Sequence, residues 1–351
     1  MSLHDEAGDI RPGEELDAGK LGDYLKNELG GSGELAVKQF RGGHSNLTYL
    51  IEYEGAEYVL RRPPFGTVAK SAHDMSREYR VLSALSQAWD KAPEPVAYCE
   101  TGEVIGAPFY LMKRIRGLII RSKLPAGLEL PPAEARKLCE SFIDTLAQLH
   151  DLDYEEIGLG DFGKPEGYVQ RQVEGWTKRY ANARTDDISD MDRVAAHLAE
   201  HLIGIEDDDA LIHNDFKFDN LIVDPADPTR IVGILDWEMA TVGHPMLDLG
   251  TTLGYWVNGD DPPAMKMLPF GPTHLPGMLD RKGLIDRYQK YAHAKVQAPE
   301  LFYAFGLWKT AVVAQQIYYR YKQGQTADAR FEQMLMGVKV LSGQACAALG
   351  L

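Results

Sequence analysis

Residues 211–238 constrain this chain more than any other stretch; they read LIHNDFKFDNLIVDPADPTRIVGILDWE. An apolar run leads into a polar cluster, a short predicted strand and a turn follow, and a second predicted strand, residues 231–235, delivers Asp236 at its end. Two adjacent hairpin-like segments thus carry two carboxylates, an amide and an ammonium, on Asp215, Asp236, Asn220 and Lys217. Such groups suit metal-bridged phosphoryl transfer, because carboxylate and amide oxygens bind Mg²⁺ and an ammonium neutralises phosphate charge.

Composition and charge argue against several other classes of protein. The 351 residues suffice for two cores, and 44% apolar with 25% charged residues is typical of a soluble globular chain. A formal net charge of -15 argues against a nucleic-acid-binding protein, which usually needs a basic face. The three cysteines form no CxxC pair, which predicts neither a disulfide framework nor a zinc site and favours the reducing cytoplasm. We expect no membrane partner, since no signal peptide or long apolar run is present.

The order of predicted elements indicates an α+β fold of two lobes. Residues 1–14 read as a mobile arm. Residues 15–113 read as an antiparallel sheet with one main helix, which Ser71 can cap. Residues 114–351 read as a mainly helical lobe that contains the polar loop of residues 211–238.

These pieces resemble, in their order, the protein-kinase-like fold, and specifically its aminoglycoside phosphotransferase and choline-kinase-type branch. The wording HNDFKFDN, together with VLRRPP and REYRVL, looks most like the phosphotransferase domain found fused to some acyl-CoA dehydrogenases. The resemblance implies an enzyme that uses ATP and Mg²⁺ to move the γ-phosphate to a hydroxyl of a small molecule.

The resemblance also assigns roles within residues 211–238, the catalytic loop. Asp215 matches the aspartate that orients the acceptor hydroxyl and accepts its proton, and Lys217 would neutralise the transferred phosphoryl group. Asn220 and Asp236 match the two metal ligands. Asn214 stands where protein kinases have an arginine, which favours a small-molecule acceptor over a protein.

Three neighbouring residues carry less specific signals. His213 is typical of a buried, hydrogen-bonded scaffold residue. Asp248 matches an aspartate of the family that braces the catalytic loop. Glu238 either approaches a second cation or faces solvent, and the sequence favours neither.

The resemblance places nucleotide binding in residues 15–113. Gly42 and Gly43 would let backbone amides approach the phosphates, with Ser45 and Asn46 as further phosphate contacts. The three spaced glycines of the family pattern are not met, so a plain hairpin turn is the alternative.

Arg61 stands where the family usually has the lysine that binds the phosphates, and Arg62 competes for this role. Glu78 on the following helix is the expected ion-pair partner. Met112 and Lys113 belong to the predicted hinge, whose backbone would bind the nucleotide base, so ATP and GTP are not distinguished there.

The acceptor is the least determined part of the sequence. Helices after Trp256 would wall its site, although the residues between 308 and 320 fit core packing as well as a pocket. Basic residues near 309–322, with the likeness to dehydrogenase-linked kinases, suggest a hydroxyacyl compound or its CoA thioester. An aminoglycoside or choline-type kinase and a nucleotide-binding pseudokinase are the alternatives, and the oligomeric state is unknown.

Overall fold

The computed structural model describes residues 6–40, 46–65, 74–202, 204–205, 208–268, 270–326 and 328–351. The chain divides into two compact units. The first contains residues 1–119, 221–227 and 231–240, and the second contains residues 120–220, 228–230 and 241–351. The first unit therefore extends beyond residue 113 and includes two segments that follow Asp215 in the chain.

The N-terminal part of the first unit, as far as it is described, contains five strands and two helices: α1 (Ala18–Leu29), β1 (Leu35–Gln39), β2 (Leu47–Tyr53), β3 (Ala56–Arg62), α2 (Met75–Ala88), β4 (Pro95–Cys99) and β5 (Phe109–Lys113). The sheet order is β1-β2-β3-β5-β4, and every neighbouring pair is antiparallel. Leu21 and Leu25 of α1 are buried against one face of this sheet. The sheet and the helices confirm the predicted α+β class.

Contacts of residues 8–14 tie the N-terminal segment to this sheet. Gly8 forms a β-bridge with Gln39, and the Tyr49 hydroxyl donates to Glu14 O at 2.7 Å. The sequence suggests a mobile arm for residues 1–14, whereas the described part of that arm is hydrogen-bonded along β1.

Helix α2 begins after Asp74, whose Oδ1 accepts hydrogen bonds from the backbone N–H groups of Ser76 and Arg77 at 3.0 and 3.2 Å. Asp74 thus satisfies two of the amides that a helix start leaves without partners. The predicted cap, Ser71, lies outside the described residues. The buried face of α2 carries Glu78 among its apolar residues, so the helix brings a carboxylate into the interior of the unit.

The second unit is mainly helical, as predicted: α3 (Pro132–His150), α4 (Tyr168–Ala183), α5 (Ser189–His201), α6 (Pro245–Gly254), α7 (Pro263–Lys266), α8 (Arg281–Tyr291), α9 (Pro299–Lys322) and α10 (Met334–Leu349). Helix α9 packs against α4, α5, α6 and α10. No helix in the described part of the chain has the length and apolarity needed to cross a bilayer.

Helices α6 and α9 meet at two glycines. A Cβ atom added to Gly250 would lie 2.2 Å from Phe302 O, and one added to Gly306 would lie 2.1 Å from Gly250 O. Because the clashing atoms belong to the backbone, neither position has room for a side chain. The two helices therefore approach closely beside the catalytic loop.

Residues 211–238 contribute strands to both units. In the second unit β6 (Ala210–Ile212) pairs with β9 (Thr241–Gly243), and β6 is followed by Asp215 and a 3₁₀ turn at Phe218–Asn220. In the first unit β7 (Leu221–Val223) and β8 (Ile231–Ile234) form an antiparallel pair, and Asp236 follows β8 as the sequence predicts.

Candidate active site

The carboxylate of Asp215 has three side-chain partners within the second unit. Its Oδ2 accepts a hydrogen bond from Asn220 Nδ2 at 2.9 Å and lies 3.0 Å from Lys217 Nζ. Its Oδ1 accepts a hydrogen bond from the Tyr255 hydroxyl at 2.8 Å. The Asp215 side chain is 18% exposed, so the carboxylate is held in place while part of it still meets solvent. An oriented, accessible carboxylate of this kind can accept a proton from a hydroxyl group.

The backbone before Asp215 adopts an unusual conformation. Asn214 has a φ angle of 65°, in the left-handed region that residues other than glycine seldom enter. Its N–H donates to Asp248 Oδ1 at 2.8 Å, and its side-chain Nδ2 donates to the Tyr168 hydroxyl at 3.2 Å. These bonds offset the cost of the strained backbone, which is on the order of 1–3 kcal/mol.

Asp248 supports the same loop from α6. It is fully buried, and its Oδ2 accepts from the His213 N–H at 2.7 Å. Burial alone would raise the pKa of Asp248, but the hydrogen bond and charge interactions with His150, together with His213, outweigh burial and leave this pKa below its ordinary value. Asp248 therefore stays ionised and braces the loop, as the resemblance implies.

His213 has the surroundings of a scaffold residue. The residue is fully buried, and its Nδ1 accepts a hydrogen bond from the Asp215 N–H at 3.2 Å. The imidazole therefore helps to fix the backbone at Asp215, which matches the interpretation made from sequence.

In the first unit, Arg61 connects the carboxylates. Its Nη1 lies 3.0 Å from Glu78 Oε1, and its Nη2 lies 2.9 Å from Asp236 Oδ1. Burial raises the pKa of Glu78, and the Arg61 guanidinium opposes that rise. Glu78 also accepts a hydrogen bond from the Trp237 N–H at 3.2 Å. The carboxylate that pairs with Arg61 therefore also fixes the backbone directly after Asp236. The expected partnership between Arg61 and Glu78 is thus present.

Arg62 has different surroundings. Its Nη1 donates to Ile105 O at 2.8 Å, its Nε donates to Pro63 O at 3.0 Å, and its guanidinium lies over the ring of Phe65. Successive side chains on a strand point to opposite faces, which separates the two arginines. The structure brings Arg61, and not Arg62, to Asp236.

Glu238 lies among the carboxylates that surround Arg61 and does not face open solvent. Its side chain is 20% exposed and its Oε2 accepts a hydrogen bond from Asn46 Nδ2 at 2.8 Å. The same Oε2 lies 3.5 Å from Arg61 Nη2. Glu238 therefore joins the chain at residue 46 to the segment that carries Asp236.

The other predicted nucleotide contacts have mixed outcomes. Gly42, Gly43 and Ser45 lie outside the described residues, whereas Asn46 is buried. Met112 is buried in β5, where it pairs with Val59 of β3.

Lys113, also in the predicted hinge, uses its backbone within the fold. Its N–H donates to Glu94 O at 2.8 Å, and the next N–H, that of Arg114, donates to Glu57 O at 3.1 Å. These two amides therefore hold the sheet rather than a nucleotide base.

The predicted metal ligands fit a hard cation by the chemistry of their donor atoms. Asn220 directs its Nδ2 towards Asp215, to which it donates twice, at the backbone O and at Oδ2, so its amide oxygen is the atom that would ligate a cation. Asp236 offers a carboxylate that is 33% exposed. Among the described residues no group of three or more His, Cys, Asp or Glu side chains is arranged for a metal ion. Magnesium needs few protein ligands, because it keeps several waters and binds phosphates.

Two residues of this site were not assigned to the Asp215 loop from the sequence. Tyr255 and Lys309 follow Asp215 by 40 and 94 residues in the chain. The Tyr255 hydroxyl contacts the carboxylate of Asp215, and Lys309 Nζ donates to Asn214 O at 2.9 Å. Lys309 counts among the basic residues that suggested an anionic acceptor, but it is 4% exposed and faces the catalytic loop. That part of the acceptor argument was wrong.

Known proteins resemble the chain over most of its length. A family model described as "Phosphotransferase enzyme family" matches residues 36–281. The acyl-CoA dehydrogenase family member 11 of Gallus gallus is 35% identical over 97% of this chain. The chain spans only 44% of that relative.

Solved structures share the fold. A protein of Ralstonia eutropha, provisionally described as an aminoglycoside phosphotransferase, is 30% identical with a TM-score of 0.79, and the match covers 95% of this chain and 99% of that one. An aminoglycoside phosphotransferase solved with AMP-PNP and hygromycin B has a TM-score of 0.58 at 16% identity, covering 92% of this chain and 99% of that one. The predicted kinase-like two-lobe fold is thereby confirmed.

Proposed function

The chain belongs to the phosphotransferase enzyme family, and from this membership we propose that its phosphoryl donor is ATP, that Mg²⁺ assists the transfer, and that its acceptor is a hydroxyacyl compound or its CoA thioester. Members of this family are small-molecule kinases, which move a phosphoryl group from a nucleotide to a hydroxyl. The observation that carries the proposal is the Asp215 carboxylate, held by Tyr255, Lys217 and Asn220 and still partly exposed.

Asp215 acts as the base. It accepts the proton of the acceptor hydroxyl while the oxygen of that hydroxyl forms a bond to the γ-phosphorus of ATP. The bond between the γ-phosphorus and the oxygen shared with the β-phosphate breaks, and ADP leaves with that electron pair. Lys217, 3.0 Å from Asp215 Oδ2, places a positive charge beside the reacting group.

Asn220 and Asp236 are the residues that would hold Mg²⁺, and Arg61 orients Asp236 through the bond to its Oδ1. When bound, the cation neutralises negative charge on the phosphate oxygens. An arginine in place of lysine keeps its charge at every physiological pH and can pair with a phosphate and a carboxylate at once. Arg61 is therefore suited to bind the nucleotide phosphates while it keeps its ion pair with Glu78.

The acceptor class is supported by the relatives. By its name, the Gallus gallus relative is an acyl-CoA dehydrogenase, and this chain matches less than half of it. A kinase domain joined to a dehydrogenase domain is expected to act on the same kind of molecule, and an acyl chain offers a phosphoryl acceptor only if it carries a hydroxyl. Arg320 and Lys322, exposed at the end of α9, are the basic residues of the 309–322 region that can meet an anionic acceptor.

The decisive experiment compares acceptors under identical conditions. The purified chain, Mg²⁺ and ATP are incubated with hydroxyacyl-CoA thioesters, the matching free hydroxy acids, choline and kanamycin, and the phosphorylated products are identified by mass spectrometry. Asp215→Asn should lower turnover at least ~10²-fold, as expected for loss of a general base. Asp286→Asn, a change in an exposed ion pair of α8, is the matched control and should leave turnover unaltered.

Two results would contradict the proposal. If kanamycin or choline is phosphorylated and no hydroxyacyl compound is, the proposed acceptor class is wrong, although the kinase chemistry stands. Binding of ATP without transfer to any acceptor would favour a nucleotide-binding pseudokinase.

A further inference from the structure

A buried lysine of α9 reaches the catalytic loop from the C-terminal part of the chain. Lys309 is 4% exposed, and its Nζ donates to Asn214 O at 2.9 Å and lies 3.5 Å from Thr251 Oγ1. Its Nζ also lies 5.7 Å from the centre of the Trp176 ring, within reach of a cation–π interaction. A lysine is costly to bury because its ammonium is strongly hydrated, so its contacts at this position merit an explanation beyond packing.

The position of Lys309 follows from the crossing of two helices. Gly250 of α6 and Gly306 of α9 have no room for a side chain at their contact, which keeps the helix axes close. Lys309 lies three residues after Gly306, about one helical turn further along α9. The close crossing therefore carries the lysine side chain to the loop that begins after β6.

The carbonyl that Lys309 binds belongs to the peptide group directly before Asp215. The other side of that peptide group, the Asp215 N–H, donates to His213 Nδ1. Asn214 is further held through its N–H by Asp248 and through its side chain by Tyr168. Lys309 thus adds to the contacts that hold Asn214 in its left-handed conformation. These contacts also fix the plane of the Asn214–Asp215 peptide group, from which the Asp215 side chain projects.

We propose that Lys309 is a positioning residue of the phosphotransferase reaction: by binding Asn214 O it holds the Asn214–Asp215 peptide in the orientation that aims the Asp215 carboxylate at the acceptor hydroxyl. This inference rests on the proposed function, in which Asp215 is the base. In this role Lys309 acts through the peptide group that it binds.

The charge of Lys309 links this role to pH. Burial lowers the pKa of Lys309 to about 8; Asp215 and Asp248 oppose this change, whereas Lys217 and Arg179 add to it. A charged donor makes a stronger hydrogen bond than a neutral one. As the pH rises through about 8, the amine loses its proton and its hold on Asn214 O weakens.

The test compares Lys309→Met with Lys339→Met, which changes an exposed lysine of α10. For Lys309→Met we expect kcat to fall by about 10-fold to 100-fold while KM for ATP stays within about twofold, because the loss concerns orientation and not nucleotide binding. We also expect the alkaline decline of kcat near pH 8, present in the wild type and in Lys339→Met, to disappear in Lys309→Met. An unaltered kcat and pH profile in Lys309→Met would overturn the inference.

Amide hydrogen exchange across residues 211–220 gives a readout that needs no activity. We expect exchange in Lys309→Met to be about tenfold faster at this loop than in the wild type, with the remainder of α9 unchanged. Equal exchange in both proteins would overturn the positioning role. If the wild type transfers no phosphate to any acceptor, the proposed function fails, while the exchange comparison still decides whether Lys309 holds the loop.

Discussion

The hydroxyl of Tyr255 donates a hydrogen bond to Asp215 Oδ1 across 2.8 Å, from the residue that directly follows α6. Burial, together with the neighbouring Asp215, raises the pKa of Tyr255 well above its ordinary value. The hydroxyl therefore keeps its proton throughout the neutral range and acts as a donor. Tyr255 fixes one oxygen of the base while Asn220 and Lys217 hold the other.

Tyr255→Phe removes the hydroxyl, and with it the hydrogen bond to Asp215, but keeps the aromatic ring. A hydrogen bond to a charged group contributes about 1.5–3 kcal/mol, so we expect kcat to fall by about 10-fold or more. Steady-state kinetics with the identified acceptor measures the effect. Tyr291→Phe, at an exposed tyrosine of α8, is the control and should behave as the wild type. A Tyr255→Phe enzyme with wild-type kcat would show that the bond has no part in orienting Asp215.

The two neighbouring arginines of β3 should separate nucleotide binding from folding. Arg61 pairs with Glu78 and Asp236, so Arg61→Ala should raise KM for ATP. Arg62 binds backbone carbonyls at Ile105 and Pro63, so Arg62→Ala should lower the free energy of unfolding and leave KM for ATP within about twofold. Urea unfolding and ATP titrations measure both quantities. The opposite pattern would reassign the phosphate contact to Arg62.

These residues also show what a sequence can and cannot predict. Asp215, Asn220 and Asp236 lie within one short stretch whose order of residue types is specific, so all three could be named as candidates without a structure. The choice between Arg61 and Arg62 needed the face of β3 towards which each side chain points. Tyr255 and Lys309 are distant in sequence and lie in apolar stretches, and only the crossing of α6 with α9 brings Lys309 to the loop.

Asp248→Asn should destabilise the second unit in a pH-dependent way. The carboxylate accepts the N–H groups of His213 and Asn214, and an amide offers one acceptor oxygen for these two donors. We expect a loss of about 1–3 kcal/mol at neutral pH, the cost of an unsatisfied buried donor. Chemical denaturation at neutral pH measures this loss.

The pH dependence has a definite sign. The pKa of Asp248 in the fold lies below its ordinary value of 3.8, so the stability that the charged form contributes is present above that pH and is lost as the pH falls through the lower, folded-state value. The difference between wild type and Asp248→Asn should therefore shrink in acid, below about pH 3.8. A difference that stays constant in this range would mean that Asp248 is not ionised in the fold.

Loss of the Lys309 proton as the pH rises should increase the stability of the fold, although the same loss is expected to lower kcat. Its pKa in the fold is about 8, against 10.5 ordinarily. Between these two values the unfolded chain binds more protons than the folded chain, so this group makes the folded state more stable as the pH rises. The full change corresponds to about 3 kcal/mol, at about 1.4 kcal/mol for each pH unit of displacement. Lys309→Met lacks the titrating amine, so its free energy of unfolding should not show this increase with pH.

Urea denaturation from pH 7 to pH 10.5 tests this expectation, with Lys339→Met as the control that keeps the wild-type dependence of stability on pH. At neutral pH the methionine variant avoids the burial of a charge, so it should regain part of the stability lost with the bond to Asn214 O. A variant that is folded and comparably stable yet impaired in kcat would show that the lysine serves the orientation of Asp215. Parallel stability curves for wild type and Lys309→Met would mean that the pKa of Lys309 is not depressed.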